Sequence, residues 1–186
     1  MPKLTVILGS VREGRVGEPV TSWFVDKAKA HGKFDVQVAD LKELNLPLLN
    51  EPHHPRLKKY VHESTKNWSA IVGGSDAFVF VMPEYNYTTA PALVNALDTV
   101  FHEWSYKPVG FVSYGGVSGG MRAVQTTKLM ITSFKMVPML EAVNIPFVQQ
   151  LIENGVFKSN ETHDKAAPVM LDELYRWSET LKVLRA

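Results

Sequence analysis

The chain predicts an α/β fold: a doubly wound, five-stranded parallel sheet of order 2-1-3-4-5 with helices on both faces. Three observations carry this expectation. Apolar strand-like runs alternate with helical patterns through all 186 residues. The run Ala77–Met82 is apolar without a break, as a strand covered on both faces must be. The loops after the first, third and fourth runs carry unusual Gly, Pro and polar residues. In such a sheet, ligands bind outside the carboxyl ends of the strands, so these loops should meet in one site.

Taken in order, the first strand is Lys3–Gly9. The helix after it shows Val20, Trp23, Phe24 and Ala28 at helical spacing. The second strand is Phe34–Asp40, and residues 42–62, with Pro47, Pro52 and Pro55, read as a long loop free to move. A helix over Thr65–Val72 turns Trp68, Ile71 and Val72 inward. After Ala77–Met82 comes Pro83-Glu84-Tyr85-Asn86, and Pro91 starts the clearest helical stripe: Leu93, Ala96, Leu97, Val100, Phe101 and Trp104. The fourth strand is Pro108–Tyr114, followed by Gly115-Gly116-Val117-Ser118-Gly119-Gly120. A helix over Met121–Lys135, a strand over Met139–Val148 and a last helix from near Asp164 complete the chain, which is expected to form one domain over 1–186. The stripe Trp177, Leu181, Leu184 covers the sheet. Phe101 and Trp104 give their helix more apolar surface than one sheet face needs, which suggests a homodimer or higher homo-oligomer. Trp104 and Tyr106 are expected beside the site, either packed in the core or interface or stacked on a neighbouring subunit's ligand.

Composition narrows the function classes. A formal net charge of +1, from 20 basic and 19 acidic side chains, gives no field for nucleic acid or an anionic membrane. With no cysteine there is no disulfide, thiolate nucleophile or zinc-thiolate site. The first strand begins within three residues of Met1 and no run is long enough to cross a membrane, so the expected location is cytoplasmic. His53-His54 has no third ligand at metal spacing and reads as a solvated loop, so no metal is expected.

The segment Gly9-Ser10-Val11-Arg12-Glu13-Gly14-Arg15-Val16-Gly17 joins a strand to a helix N-terminus and reads as a phosphate cradle. Backbone N–H groups, the Ser10 hydroxyl and the Arg12 and Arg15 guanidinium groups would converge on one dianion. An ordinary loop with solvated arginines is the alternative. Gly9 and Gly14 have the spacing of a nucleoside-triphosphate loop, but Arg15-Val16 stands where Lys and Ser/Thr would be, which removes the usual Mg²⁺ ligand. The G-x-G-x-x-G fingerprint is also missing. A bound phosphomonoester that is not itself turned over fits what is left.

Three segments, Gly9-Ser10-x-Arg12, Pro83-Glu84-Tyr85-Asn86 and Gly115-Gly116-x-x-Gly119-Gly120-x-Arg122, together resemble the NAD(P)H-dependent FMN reductase family, which includes quinone, chromate and azo-dye reductases. The likeness runs from residue 3 to about 148 and includes Asn95-Ala96-Leu97-Asp98. It implies the flavodoxin-like form of the predicted sheet, FMN as cofactor and NADPH or NADH as reductant. It also implies small acceptors: a quinone, a flavin, a metal oxyanion or an azo dye. By position, Ser10, Arg12, Arg15 and the N–H groups near Val16 and Gly17 would hold the phosphate. Pro83, Glu84, Tyr85 and Asn86 would line the ring, and Ser113, Gly115 and Gly116 would approach its other side. The flavin carries the chemistry, so no catalytic side chain is required. Glu84 is expected to be a structural residue of its loop. Two positions depart from the family pattern: Tyr87 where a small residue is common, and Arg15 where serine is common.

The resulting expectation is an oxidoreductase that passes hydride from NAD(P)H through bound FMN to a quinone-like acceptor by a ping-pong route. The alternatives are a reductase that releases reduced flavin, a flavodoxin-type electron carrier and a flavin-sensing regulatory protein. Balanced charge speaks against the carrier, whose docking needs a surface of one sign.

Overall fold

Period-two alternation on covered strands decides which of two cores each side chain joins. On β3 (Ala77–Pro83), Ala77, Val79 and Val81 enter one apolar cluster while Phe78, Phe80 and Met82 enter the other. The structure is a computed structural model and describes residues 1–185. Its main sheet runs β2 (Asp35–Asp40), β1 (Lys3–Leu8), β3, β4 (Pro108–Tyr114), β5 (Val137–Ile145), every pair parallel. This is the order the sequence predicts. Helix α1 (Gly17–His31) and helix α6 (Glu161–Thr180) cover one face. Helices α3 (Glu63–Gly73), α4 (Pro91–Thr99) and α5 (Met121–Ile131) cover the other. No described helix is long and apolar enough to cross a membrane.

Several boundaries differ from expectation, each for a local reason. Helix α4 stops at Thr99, because Val100 is extended and His102–Trp104 forms a separate 3-10 turn. The apolar period runs through that break undisturbed. Trp104 is fully buried among Trp68, Phe78 and Phe80, with ring centroids 4.9–6.4 Å away. It packs inside this chain just before β4, at the amino pole of the sheet, so it neither adjoins the carboxyl-end loops nor supplies spare surface for a dimer. The expected helix over 121–135 is α5 followed by a 3-10 turn at Thr132–Phe134. Helix α6 starts at Glu161, because Asn160 and His163 form a reciprocal capping box. A small hairpin, β6 (Ile152–Glu153) with β7 (Val156–Phe157), follows the sheet and was not expected.

The long 42–62 loop is tied down. Its start belongs to a short helix, α2 (Leu41–Leu44), whose Lys42 N–H is capped by Asp40. Glu51 accepts the N–H groups of Val61 and His62, and Asn95 bridges Leu49 N–H and the Pro47 carbonyl. His54 Nδ1 accepts the Arg56 N–H, so that histidine caps a turn.

Candidate functional site

Loops from the carboxyl ends of β1, β3, β4 and β5 surround a cleft of about 390 Å³. It is lined by Arg12, Val16, Pro83, Glu84, Tyr85, Tyr114, Gly115, Gly116 and Phe147 to Gln150.

The first loop carries the anion-binding features. Helix α1 begins with Val16 as its N-cap and has no side-chain cap, so its first N–H groups keep no side-chain partner. Partial positive charge there favours an anion. Gly14 turns the loop with φ +65°. Gly17 is required by packing, since a Cβ would fall 2.6 Å from Leu8 Cδ1 and 2.6 Å from the Tyr114 hydroxyl. Ser10 is buried, and its hydroxyl shares a 2.8 Å hydrogen bond with Tyr85. Arg12 is exposed at the cleft.

Arg15 does not fill the role expected of it. Its side chain is 3% exposed and turned into the protein. Nη1 donates to Asp40 Oδ1 (2.7 Å) and the Ser10 carbonyl (2.6 Å), while Nη2 and Nε donate to Glu18 Oε1. With every arm of the fork used, Arg15 braces the loop from behind and Arg12 is left as the free guanidinium. Burial alone would push the Asp40 carboxyl up. The hydrogen bonds from Arg15 and the Lys42 N–H outweigh it and hold Asp40 below the usual carboxylate range.

The second loop is fastened to the third. Glu84, whose side chain is 6% exposed, accepts from Arg122 Nε (2.6 Å), the Ser118 hydroxyl (2.8 Å) and the Arg122 N–H (3.1 Å). Burial raises its pKa, but the Arg122 and Ser118 hydrogen bonds prevail and lower it. Glu84 is thus a structural tie. Tyr85 and Thr88 exchange backbone hydrogen bonds around Asn86 and Tyr87, both at positive φ (50° and 73°), a two-residue hairpin turn. Asn86 therefore stands at the exposed tip and its amide does not line the cleft. Tyr87 lies under the Arg122 guanidinium, 4.1 Å from its ring centroid, which helps hold the strained turn.

In the third loop Gly119 and Gly120 have φ of +59° and +83°. A Cβ at Gly120 would meet the Tyr114 backbone nitrogen at 2.7 Å. Ser113 faces away from the cleft. It donates to the Gly119 carbonyl (2.8 Å) and accepts from Asn144 (2.7 Å), so it fixes the glycine loop and leaves contact to Gly115 and Gly116. A Cβ on Gly116 would meet nothing within 4 Å, so that wall is open.

Sequence reading missed Tyr114 and the loop Phe147 to Gln150. The sequence pattern places residues 146–148 in the last strand, which ends at Ile145. Phe147, at φ +50°, and Val148 return to the third loop through N–H bonds to the carbonyls of Gly116 and Gly115. The rule that ligands gather at strand carboxyl ends applies equally to β5 and would have included this loop.

The cleft thus has a cationic, N–H-rich end and an end of glycine backbone, Pro83 and Phe147. It suits a flat ring with a phosphate tail. A larger cavity of about 610 Å³ opens at the opposite pole. There Lys107 caps the carbonyls of Val72 (2.7 Å) and Gly73 (3.0 Å), and Arg185 meets Asp76 at 3.3 Å.

The sequence model described as NADPH-dependent FMN reductase matches residues 2–150. An NAD(P)H-dependent FMN reductase of Schizosaccharomyces pombe is 36% identical over 161 residues, 83% of this chain and 80% of that protein. A rice (Oryza sativa subsp. japonica) protein named "Probable NADPH:quinone oxidoreductase 1" is 46% identical over 52 residues, 26% of each chain. Among solved structures, the flavoenzyme NAD(P)H:(acceptor) oxidoreductase FerB from Paracoccus denitrificans superposes with a TM-score of 0.75. At 22% identity over 97% of this chain and 98% of that one, it speaks for the fold.

Proposed function

Because this chain belongs to the NADPH-dependent FMN reductase family, an NAD(P)H-dependent class of flavoenzyme, we propose that it keeps FMN in the carboxyl-end cleft and reduces quinone-like acceptors by a ping-pong route. The observation that carries this is the uncapped N-terminus of α1, with Arg12 beside it, at one end of a cleft whose other walls are glycine and apolar.

In this reading Ser10, Arg12 and the N–H groups of Val16 and Gly17 bind the phosphate, and Arg15 keeps their loop in shape through Asp40. Pro83, the backbone of Glu84, Tyr85, Gly115 and Gly116 contact the ring, joined by Phe147 and Val148. When bound, FMN supplies the acceptance and release of hydride, so the protein has to position and desolvate and needs no acid or base. Open space beside Gly116 leaves an approach to the ring, and in this reading reductant and acceptor use it in turn. A quinone is flat, takes two electrons, and fits that shared space. The reading also takes the working form to be at least a homodimer, with exposed Val11 of the phosphate loop and its neighbour Leu48 to be covered. Light scattering at micromolar concentration should then give at least twice the chain mass. A cytoplasmic setting suits a chain without cysteine.

The test is an absorbance spectrum followed by initial-rate kinetics. Purified protein should be yellow, bleach with NAD(P)H in the absence of air, and regain colour with a benzoquinone. Double-reciprocal plots should be parallel. Colourless protein that reduces added FMN with intersecting lines would make flavin a released product. Protein that both nicotinamides leave oxidised would point to a carrier or a sensor.

A further inference from the structure

Tyr114 closes β4, belongs to the apolar cluster that also holds Leu8, Val20 and Val112, and has its hydroxyl against Gly17 at the end of the phosphate loop. The residue is 4% exposed. Ser10, Tyr85, Arg12 and Arg15 all act on the phenol, and the Ser10 hydroxyl lies near enough to bias it. No protein group meets the Tyr114 oxygen with full hydrogen-bond geometry among the described residues. Ser10 is already shared with Tyr85, and Arg15 is committed to Asp40 and Glu18. Five residues hold buried side-chain atoms with no partner among those described: Thr21, His31, Thr89, Tyr114 and Thr127. Only Tyr114 belongs to the cleft.

An unpaired buried hydroxyl is costly, and phenylalanine would pack the same core without that cost. The chain nevertheless makes room for the oxygen. The hydroxyl occupies the space that a Cβ at Gly17 would need, at the first turn of α1. Burial pushes the phenol pKa up, so the group keeps its proton and stays a donor across the physiological range.

We propose that the Tyr114 hydroxyl is a further phosphate-binding group, donating to the phosphate of the flavin nucleotide from the end of the loop. This rests on the FMN reading and adds a ligand that the family-like motifs do not name. Its chemical target is the phosphate alone, which separates it from residues that touch the ring.

The experiment compares wild type and Tyr114→Phe in three measurements: melting of the apoprotein, FMN affinity by fluorescence quenching, and riboflavin affinity by the same method. A donor to a charged oxygen should cost about ten- to a hundredfold in FMN affinity when removed. Riboflavin, which lacks the phosphate, should bind both proteins equally. The apo variant should melt at or above the wild-type temperature, since the hydroxyl has no protein partner to lose. An unchanged FMN affinity, or an equal loss for riboflavin, overturns the inference. So does a variant whose apo form melts lower while FMN affinity is kept, because the hydroxyl would then be structural. If wild-type protein binds neither flavin, the FMN reading itself falls, and that is seen before the variant is measured.

Discussion

The two poles of the sheet differ less in space than in how their polar groups are partnered. The amino pole holds the larger cavity, but most of the charges that line it are spent within the protein, exposed Lys58 excepted. Lys107 caps α3, and Glu103 accepts from Tyr60, Ser69 and the Phe101 N–H. Asp76 takes Lys3 N–H and Arg185. The carboxyl pole has the smaller cleft and leaves donors waiting: the first turn of α1, the Arg12 guanidinium and the Tyr114 hydroxyl. A buried donor without an acceptor costs stability, and at this pole a bound anion would supply the acceptor that Tyr114 lacks. Volume alone would choose the amino pole.

Substitutions can break this contrast, and the largest effect belongs to the amino pole. Trp104→Ala removes a fully buried ring from the cluster with Trp68, Phe78 and Phe80. Chemical denaturation should show a loss of about 3–5 kcal/mol, with FMN affinity of the folded variant within about twofold of wild type. A large drop in affinity would mean that the poles are not separate.

Arginines 12 and 15 sharpen the contrast within a single loop. Arg15→Ala strands Asp40, whose side chain is 21% exposed, and apoprotein stability should fall by about 2 kcal/mol, less than for a fully buried pair. Arg12→Ala should leave apo stability within about 0.5 kcal/mol and weaken FMN binding about ten- to a hundredfold. Denaturation and flavin titration of both variants check the division. The reverse pattern would return Arg15 to the phosphate.

The smallest expected effect is in acid. Asp40 and Glu84 have folded-state pKa values below their ordinary ones, so their contribution is present at neutral pH and is lost as the pH falls below about 4. The melting temperature of Glu84→Gln should lie below that of wild type at pH 7, and the gap should close towards pH 3. A gap that widens on acidification would contradict the tie between Glu84 and Arg122.

The sheet was legible because β3 and β4 are apolar on both faces, a pattern only a covered strand shows. The loops of the cleft were legible as motifs, but the direction of individual side chains was not. Arg15 looks like Arg12 in the sequence, and its partner Asp40 lies 25 residues away. The end of α4 was hidden because Val100 and Trp104 keep a helical period across an extended residue. Tyr114 read as one more strand residue, since nothing local reveals that its hydroxyl lacks a partner.

Hydrogen exchange of the apoprotein with and without FMN tests the central claim most directly, because it reports both poles at once. FMN should slow exchange in residues 10–18, 84–88 and 114–120, with a smaller effect at 147–150, and leave 73–76 and 102–107 unchanged. Protection at 73–76 and 102–107, or none at 10–18, would contradict a phosphate held at the N-terminus of α1.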